Sequence, residues 1–316
     1  MTKKDVMKKL KRINPLALIL FLLLTVYAIS LIFVLVWGFI SSLKSHLDFG
    51  DMGNVMGLPN PEFSASEMQF GNYIDRFNHF RVQIGDNSYY SALFGRVNLR
   101  GGFANFSDML FNTLVYAILC PIIHSFTTLT GAYLCAKFKY KFCDFLYAFL
   151  LAIMALPIVG SAPATMQVLR DLGLFGSYAG MVALKLNFTG LYFFVFYAFM
   201  QGLSDTYIEA AEIDGASQFH IFIHIIVPLS SKMLFTVFLL EFIACWNDYQ
   251  TPYLYFPNMP TLAYGVVRET QGGKGAYTYI PMKTTLSMIL ALPILFLFIS
   301  CKNVILGNMT MGGLKE

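Results

Sequence analysis

Charge of either sign is scarce in this chain. Only 13% of its 316 residues are Asp, Glu, Lys or Arg, about half the quarter usual in soluble domains. With 57% hydrophobic residues and a mean hydropathy of +0.60, that scarcity places the chain in a bilayer. The net charge of +4 is too small to argue for nucleic acid, and the basic residues sit at the ends of apolar runs rather than on one amphipathic element. The five cysteines (Cys120, Cys135, Cys143, Cys245, Cys301) include no Cys-x-x-Cys pair and all lie in or beside apolar runs, so they read as small buried hydrophobes. A phosphate-binding loop is missing too. Gln271-Gly-Gly-Lys274-Gly275 has glycine where the Walker pattern needs Ser or Thr after its lysine, and no other stretch comes closer. The chain therefore does not hydrolyse ATP by itself. Nothing resembles a nucleophile elbow or a catalytic triad, and no cofactor or metal is expected in this chain.

Long apolar runs are what is present. Lys3, Lys4, Lys8, Lys9, Lys11 and Arg12 precede an uncharged run over residues 16–43. It is longer than the ~7–15 residues of a signal-peptide core and lacks a small-x-small cleavage site. It reads as a retained first transmembrane helix. Further spans are expected at about 109–136, 145–167, 178–201, 232–256 and 284–304, which makes an all-α membrane protein with six transmembrane helices. The basic amino terminus and Lys137, Lys139 and Lys141 between spans two and three belong on the cytoplasmic side. Alternation then puts both termini and the loop 204–228 inside. Outside lie residues 44–108, a turn near Arg170–Gly176 and residues 257–283. In the first of these, Asn72, Tyr73, Ile74 and Phe77 are the expected ordered anchor.

The loop 204–228 holds the densest chemistry. Asp205, Glu209 and Glu212 fall at i, i+4 and i+7, so one helical face carries three carboxylates that repel one another. Such a face suits a basic partner. Ala210, Ala211 and Ala216 let another backbone come close. Gly215 suits the left-handed residue that ends a helix, and Ser217 can cap the next. The result is a helix, a sharp turn and a second helix leading to Pro228. His220 and His224 have metal-ligand spacing, but no third ligand follows in register.

Span five carries Glu241, Ala244, Cys245 and Asp248 on one face. Counted from Ser231, Glu241 lies ~15 Å deep at ~1.5 Å per residue, near the bilayer middle. A carboxylate there is costly unless it faces protein or water, so this face looks inward, towards a partner helix or a permeation path. Trp246, Asn247, Asp248 and Tyr249 sit nearer the outer interface. Their chemistry suits an interfacial aromatic belt or contact with a sugar. Lys185 in span four can snorkel outward or pair with a carboxylate, and snorkelling is the favoured reading.

Glu209-Ala210-Ala211, then Asp214-Gly215-Ala216, then Ile225 and Pro228 resemble the cytoplasmic "EAA" loop of ABC importer permeases. Six spans, a long first external loop, Trp246-Asn247-Asp248 and the ending Met311-Gly-Gly-Leu-Lys315 resemble the second permease subunit of carbohydrate importers of the maltose type. That resemblance implies a type I ABC importer transmembrane fold with a cytoplasmic coupling helix. It divides the chain into an amino terminus with the first helix (1–43), an external loop (44–105), a transmembrane core (106–305) and a tail (306–316). The implied partners are a second permease, two cytoplasmic ATPase subunits that bind the ATP and Mg²⁺, an extracellular solute-binding protein and membrane lipid. The implied coupling residues are Glu209, Ala210, Ala211, Asp214, Gly215, Ala216 and Pro228. The candidate pathway residues are Glu241, Trp246, Asn247, Asp248 and Tyr249. An ion-gradient-driven carrier using Glu241 and Asp248 is the alternative. A membrane enzyme working through the external loop would need an acid/base or metal cluster that the sequence does not contain.

Overall fold

The computed structural model describes residues 15–60, 62, 68–84, 102–138, 140–156, 160–272 and 279–309. The basic amino-terminal residues, Lys139, Lys274 and the tail 311–315 lie outside the described residues. The chain forms two compact units, one of residues 1–76 and 273–289, the other of residues 77–272 and 290–316.

In the first unit, α1 (Pro15–Ser42) is apolar on every face, and none of its most apolar window is buried. At ~1.5 Å per residue it is about 42 Å long. An all-round apolar helix of that length belongs in lipid or against another membrane chain. A buried polar knot follows it. The Lys44 ammonium donates to the carbonyls of Asn54 and Val55. Asp48 accepts from the Asn54 side chain at 2.8 Å and from Asn60 N at 3.1 Å. Burial pushes the Lys44 pKa down, with Asp48 acting in the opposite direction. Pairing Lys44, Asp48 and Asn54 in this way turns an expected loop into built structure. Helix α2 (Gly71–His79) begins here: Asn72 Nδ2 donates to the carbonyls of Ser42 and Lys44, and the Tyr73 hydroxyl meets Ser42 Oγ at 2.7 Å. Asn72 and Tyr73 are thus anchors, whereas Ile74 is exposed. The first turns of α13 (Ile280–Met309) belong to this unit, where Thr285 Oγ1 donates to Ser42 O at 3.2 Å.

The second unit opens with a two-stranded antiparallel ribbon, β1 (Arg81–Gln83) against β2 (Phe103–Asn105), with Val82 opposite Ala104. This ribbon is a departure from the all-α expectation. Only Val82 and Ala104 are buried within it, so alternation was too short to read. Helix α3 (Phe106–Lys137) starts at a capping box of Asn105 and Asp108 and forms the axis of the unit. It is followed by α4 (Lys141–Ala155), α5 (Ser161–Asp171), α6 (Tyr178–Lys185), α7 (Leu191–Gly202) and α8 (Thr206–Ile213). Next come α9 (Gln218–Leu229), α10 (Ser231–Asn247), α11 (Gln250–Tyr255) and α12 (Leu262–Gly272). Helices α7 and α10 pack along α3. One core gathers Leu129, Tyr133, Phe193, Phe196, Ile221 and Val237; a second gathers Tyr116, Cys120, Met181, Phe242, Trp246 and Phe256. Cys120, Cys135, Cys143 and Cys245 are buried free thiols, and Cys301 is partly exposed.

The apolar runs are less continuous than six simple spans would be. Among the described residues, three helices are long and apolar enough to cross a membrane: Pro15–Ser42, Phe106–Lys137 and Ile280–Lys302. Helices α9 and α10, bent by 74°, make a fourth if taken as one span. The run 145–167 is divided between α4 and α5, whose N-cap Gly160 has φ 82°. The run 178–201 breaks between α6 and α7, where Asn187 caps the Leu184 carbonyl at 2.9 Å and Gly190 has φ 127°. The run 232–256 breaks at Asp248, which accepts from Thr251 N at 3.0 Å. Hydropathy averages over such a run. It does not register a single cap or a left-handed glycine.

Candidate functional site

The acidic loop folds into an elbow with defined corners. Helix α8 closes with the paired bonds Ala216 N to Ala211 O (2.9 Å) and Gly215 N to Glu212 O (3.0 Å). This is the Schellman arrangement, which requires a left-handed residue after the helix. Gly215 supplies it with φ 78°. Ser217 then caps α9, its Oγ accepting from His220 N at 3.3 Å. Towards the end of α9, residues 222–226 form a π turn. Pro228 has no N–H to give to the carbonyl of His224, which favours such a register shift. The chain then turns through the fully buried Ser230, whose Oγ donates to Ile226 O at 2.7 Å, into α10.

One side of the elbow is fastened to the core and the other is bare. Ala211, Ile221 and Ile226 are buried in the core that contains α3 and α7, and Phe222 packs on Tyr133 with ring centroids 5.3 Å apart. On the opposite side Ile213 is 87% exposed and Phe219 76% exposed. Glu209, Ala210, Asp214 and Gly215 are exposed with them, as is Pro228. Ile213 and Phe219 were missed in the sequence because they read as ordinary apolar residues. Helical geometry was the available signal: Ile213 is two residues, ~200°, from the buried Ala211, and so on the far face.

The three-carboxylate face is corrected by the structure. Asp205 is held by Lys137, with Nζ–Oδ1 2.7 Å, and the same ammonium donates to Leu203 O at 2.6 Å. Asp205 therefore ties the start of α8 to the end of α3. Glu212 accepts from Gln218 Nε2 at 2.6 Å across the turn. The rings of His220 and His224 stack with centroids 4.0 Å apart.

The second region lies between α3, α6 and α10. Glu241 Oε2 is 3.9 Å from Lys185 Nζ and 3.9 Å from His124 Nδ1. Of the two readings of Lys185 the less favoured one holds: it turns to the carboxylate rather than outward, because a counter-charge is available inside the protein. His124 is a member that sequence reasoning did not select. Both its ring nitrogens are buried without a hydrogen-bond partner. Asp248 accepts from the Tyr116 hydroxyl at 2.7 Å as well as capping α11. Trp246 is 5% exposed, and its Nε1 donates to Leu290 O at 3.0 Å. It is a core residue rather than an interfacial belt or an open contact surface. Asn247 is exposed and donates to Ile243 O at 2.9 Å, and Tyr249 is at the margin of exposure. The structure therefore joins Glu241 with Lys185 and His124, and Asp248 with Tyr116, while Trp246 is packed in the core.

Residues 128–306 match the family described as "Binding-protein-dependent transport system inner membrane component". That match covers more than half of the chain and includes the whole elbow. The chain belongs to this family. Similar relatives are sn-glycerol-3-phosphate transport system permease proteins UgpE. That of Yersinia enterocolitica is 32% identical over 48% of this chain and 53% of its own length. That of Pectobacterium atrosepticum is 28% identical over 60% and 68%, and that of Escherichia coli strain K12 is 27% identical over 62% and 70%. The chain thus spans about half the length of the first of these relatives. Among solved structures, a chain of a bacterial ABC transporter involved in the import of the acidic polysaccharide alginate superposes with a TM-score of 0.69. That superposition covers 96% of this chain and 98% of the other at 18% identity. The likeness establishes a shared fold. As a family member, this chain is an inner-membrane component of a binding-protein-dependent transport system.

Proposed function

We propose that this chain is one of two permease subunits of an ATP-driven sugar importer, and that the elbow 204–228 seats a cytoplasmic ATPase. The observation that carries the reading is the two-sided elbow: Ala211, Ile221 and Ile226 lie in the core, while Ile213, Phe219 and Glu209 are presented outward. Acidic residues at a helix carboxyl end oppose its dipole, and Glu212 and Asp214 stand there. A folded chain has no internal use for an exposed Ile and Phe beside such carboxylates. A basic partner surface with an apolar cleft does. Force on that patch passes through Gly215 into α9, and through buried Ser230 into α10 and the bundle.

A sugar or related polyhydroxylated cargo is supported by the relatives, which are permeases of systems for the polyol phosphate sn-glycerol-3-phosphate, and by the fold neighbour from an importer of the polysaccharide alginate. A cytoplasmic placement of the elbow is supported by Lys137, which pairs with Asp205 at its start, and by Lys141 in the same short basic segment. In this reading a loaded binding protein docks outside while the ATPases close on ATP. The elbow transmits closure, and the bundle rocks from inward-open to outward-open. ATP must bind the two states differently for this to work, and docked solute must alter nucleotide affinity in return. The ion-gradient alternative is weakened by the carboxylates themselves, since Glu241 faces Lys185 and Asp248 is engaged by Tyr116 and Thr251.

The test is purification of the tagged chain from its native membrane. An ATPase subunit and a second permease should co-purify, and Glu209→Lys should reduce ATPase retention without reducing the amount of inserted chain. Solute transport by the purified single chain in liposomes would overturn the reading.

A further inference from the structure

Resting on that importer reading, we propose that the break between α6 and α7, residues 186–190, is where this subunit lines the aqueous path. Its polar edge, Asn187 and Thr189 beside Lys185 and Glu241, is the surface on which hydroxyl-bearing solute passes. Residues 178–201 form the fourth expected crossing, so the break falls near mid-depth. Helix α6 ends at Lys185, and the chain runs without helical bonding until α7 starts at Leu191. Leu186, Asn187 and Thr189 are exposed there. Non-helical backbone at membrane depth is tolerated only where protein covers it or water reaches it. This chain leaves these three residues uncovered.

The two edges of the break differ in chemistry. Leu186 and Phe188 border a cavity of about 680 Å³ whose other walls include Phe126, Leu134, Phe142 and Leu146. Asn187 and Thr189 do not border it. Asn187 instead caps Leu184 O, its own carbonyl accepts from Thr127 Oγ1 at 3.1 Å, and Thr189 Oγ1 lies 3.5 Å from Asn187 Oδ1. The helix ends that flank the break meet the charged cluster. The His124 ring lies 6.3 Å from that of Tyr192 at the start of α7. Lys185 Nζ at the end of α6 is 3.9 Å from Glu241 Oε2, which is 3.9 Å from His124 Nδ1. Those gaps are too long for direct hydrogen bonds, and both His124 nitrogens lack a partner. Amide and ammonium donors set beside a carboxylate acceptor match hydroxyl groups, which both donate and accept.

The test is thiol labelling of the assembled transporter in native membranes. Asn187→Cys and Thr189→Cys are made in a Cys301→Ser background, since the other four cysteines are buried, with Leu23→Cys in α1 as a lipid-facing control. The probe is a charged, membrane-impermeant methanethiosulfonate, applied to inside-out vesicles and to right-side-out vesicles loaded with nucleotide. Both positions should react at least tenfold faster than Leu23→Cys. Adding ATP with a hydrolysis block should reduce their reaction from the inside and raise it from the outside. Rates no faster than the control in every nucleotide state would place the break against lipid or the second permease and overturn the proposal. Reaction that nucleotide does not change would mean a static water pocket, and would overturn it as well. Failure of the importer reading would show separately, as absence of an ATPase subunit from the same membranes after purification.

Discussion

Ile213 and Phe219 separate folding from function more sharply than any charged residue of the elbow, because they are exposed and bury little within the chain. The double variant Ile213→Ala, Phe219→Ala should therefore change stability by no more than ~0.5 kcal/mol, as expected for surface positions. ATPase retention on purification should nevertheless fall several-fold. Full retention, measured as the stoichiometry of co-purified subunits, would remove these side chains from the docking surface. The Lys185–Glu241 pair makes the opposite case. Removing one partner leaves an uncompensated charge inside the bundle. At 3.9 Å with 24% and 13% side-chain exposure, the loss should be smaller than the ~3–5 kcal/mol of a fully buried pair. Lys185→Met and Glu241→Gln should each lower the thermal midpoint in detergent, and the double variant should recover most of the loss. Additive losses would mean that the two residues act independently.

Among the elements, the turn between α8 and α9 depends on a conformation that only glycine adopts freely. Nothing lies within 4 Å of a Cβ added at Gly215, so its φ of 78° is the whole constraint. A β-branched side chain in the left-handed region costs about 1–2 kcal/mol. Gly215→Val should thus redirect α9 while the protein still inserts, and solute-stimulated ATP hydrolysis and uptake should fall together. Gly202→Ala, also in open space but within helix α7, should leave both unchanged or raise stability slightly. Gly180 is constrained differently, since a Cβ there would collide with the Leu174 carbonyl. Gly180→Ala should lower the yield of folded protein, which size-exclusion profiles in detergent would show. The start of α8 rests on Lys137. In Lys137→Met, Asp205 loses its ammonium partner and Leu203 O its donor, and the elbow should become more susceptible to proteolysis near residue 205.

For the whole molecule, the scarcity of charge and the family match agree on a membrane component of a transport system, and the proposed reading assigns its energy to a separate ATPase. The purified chain in liposomes should show neither ATP hydrolysis nor uptake, and both should appear when the ATPase and second permease are added. The membrane class, the elbow's helix–turn–helix and the left-handed Gly215 were legible in the sequence because composition, caps and turn residues act locally. So was the inward bias of Glu241, since a carboxylate at that depth has few alternatives. Tertiary structure alone decided the partners. Lys185 turned to Glu241 and Lys137 to Asp205, Trp246 went into the core, and His124 joined the polar cluster. Each of these contacts joins residues far apart in the chain, so no local periodicity encodes them. Tertiary structure also divided the apolar runs 145–167, 178–201 and 232–256 into shorter helices. Breaks of this kind survive because side chains take up the freed backbone groups, as Asn187 does for Leu184 O and Asp248 for Thr251 N. Left orphaned in a bilayer, each such group costs several kcal/mol, and an apolar average does not register those partners.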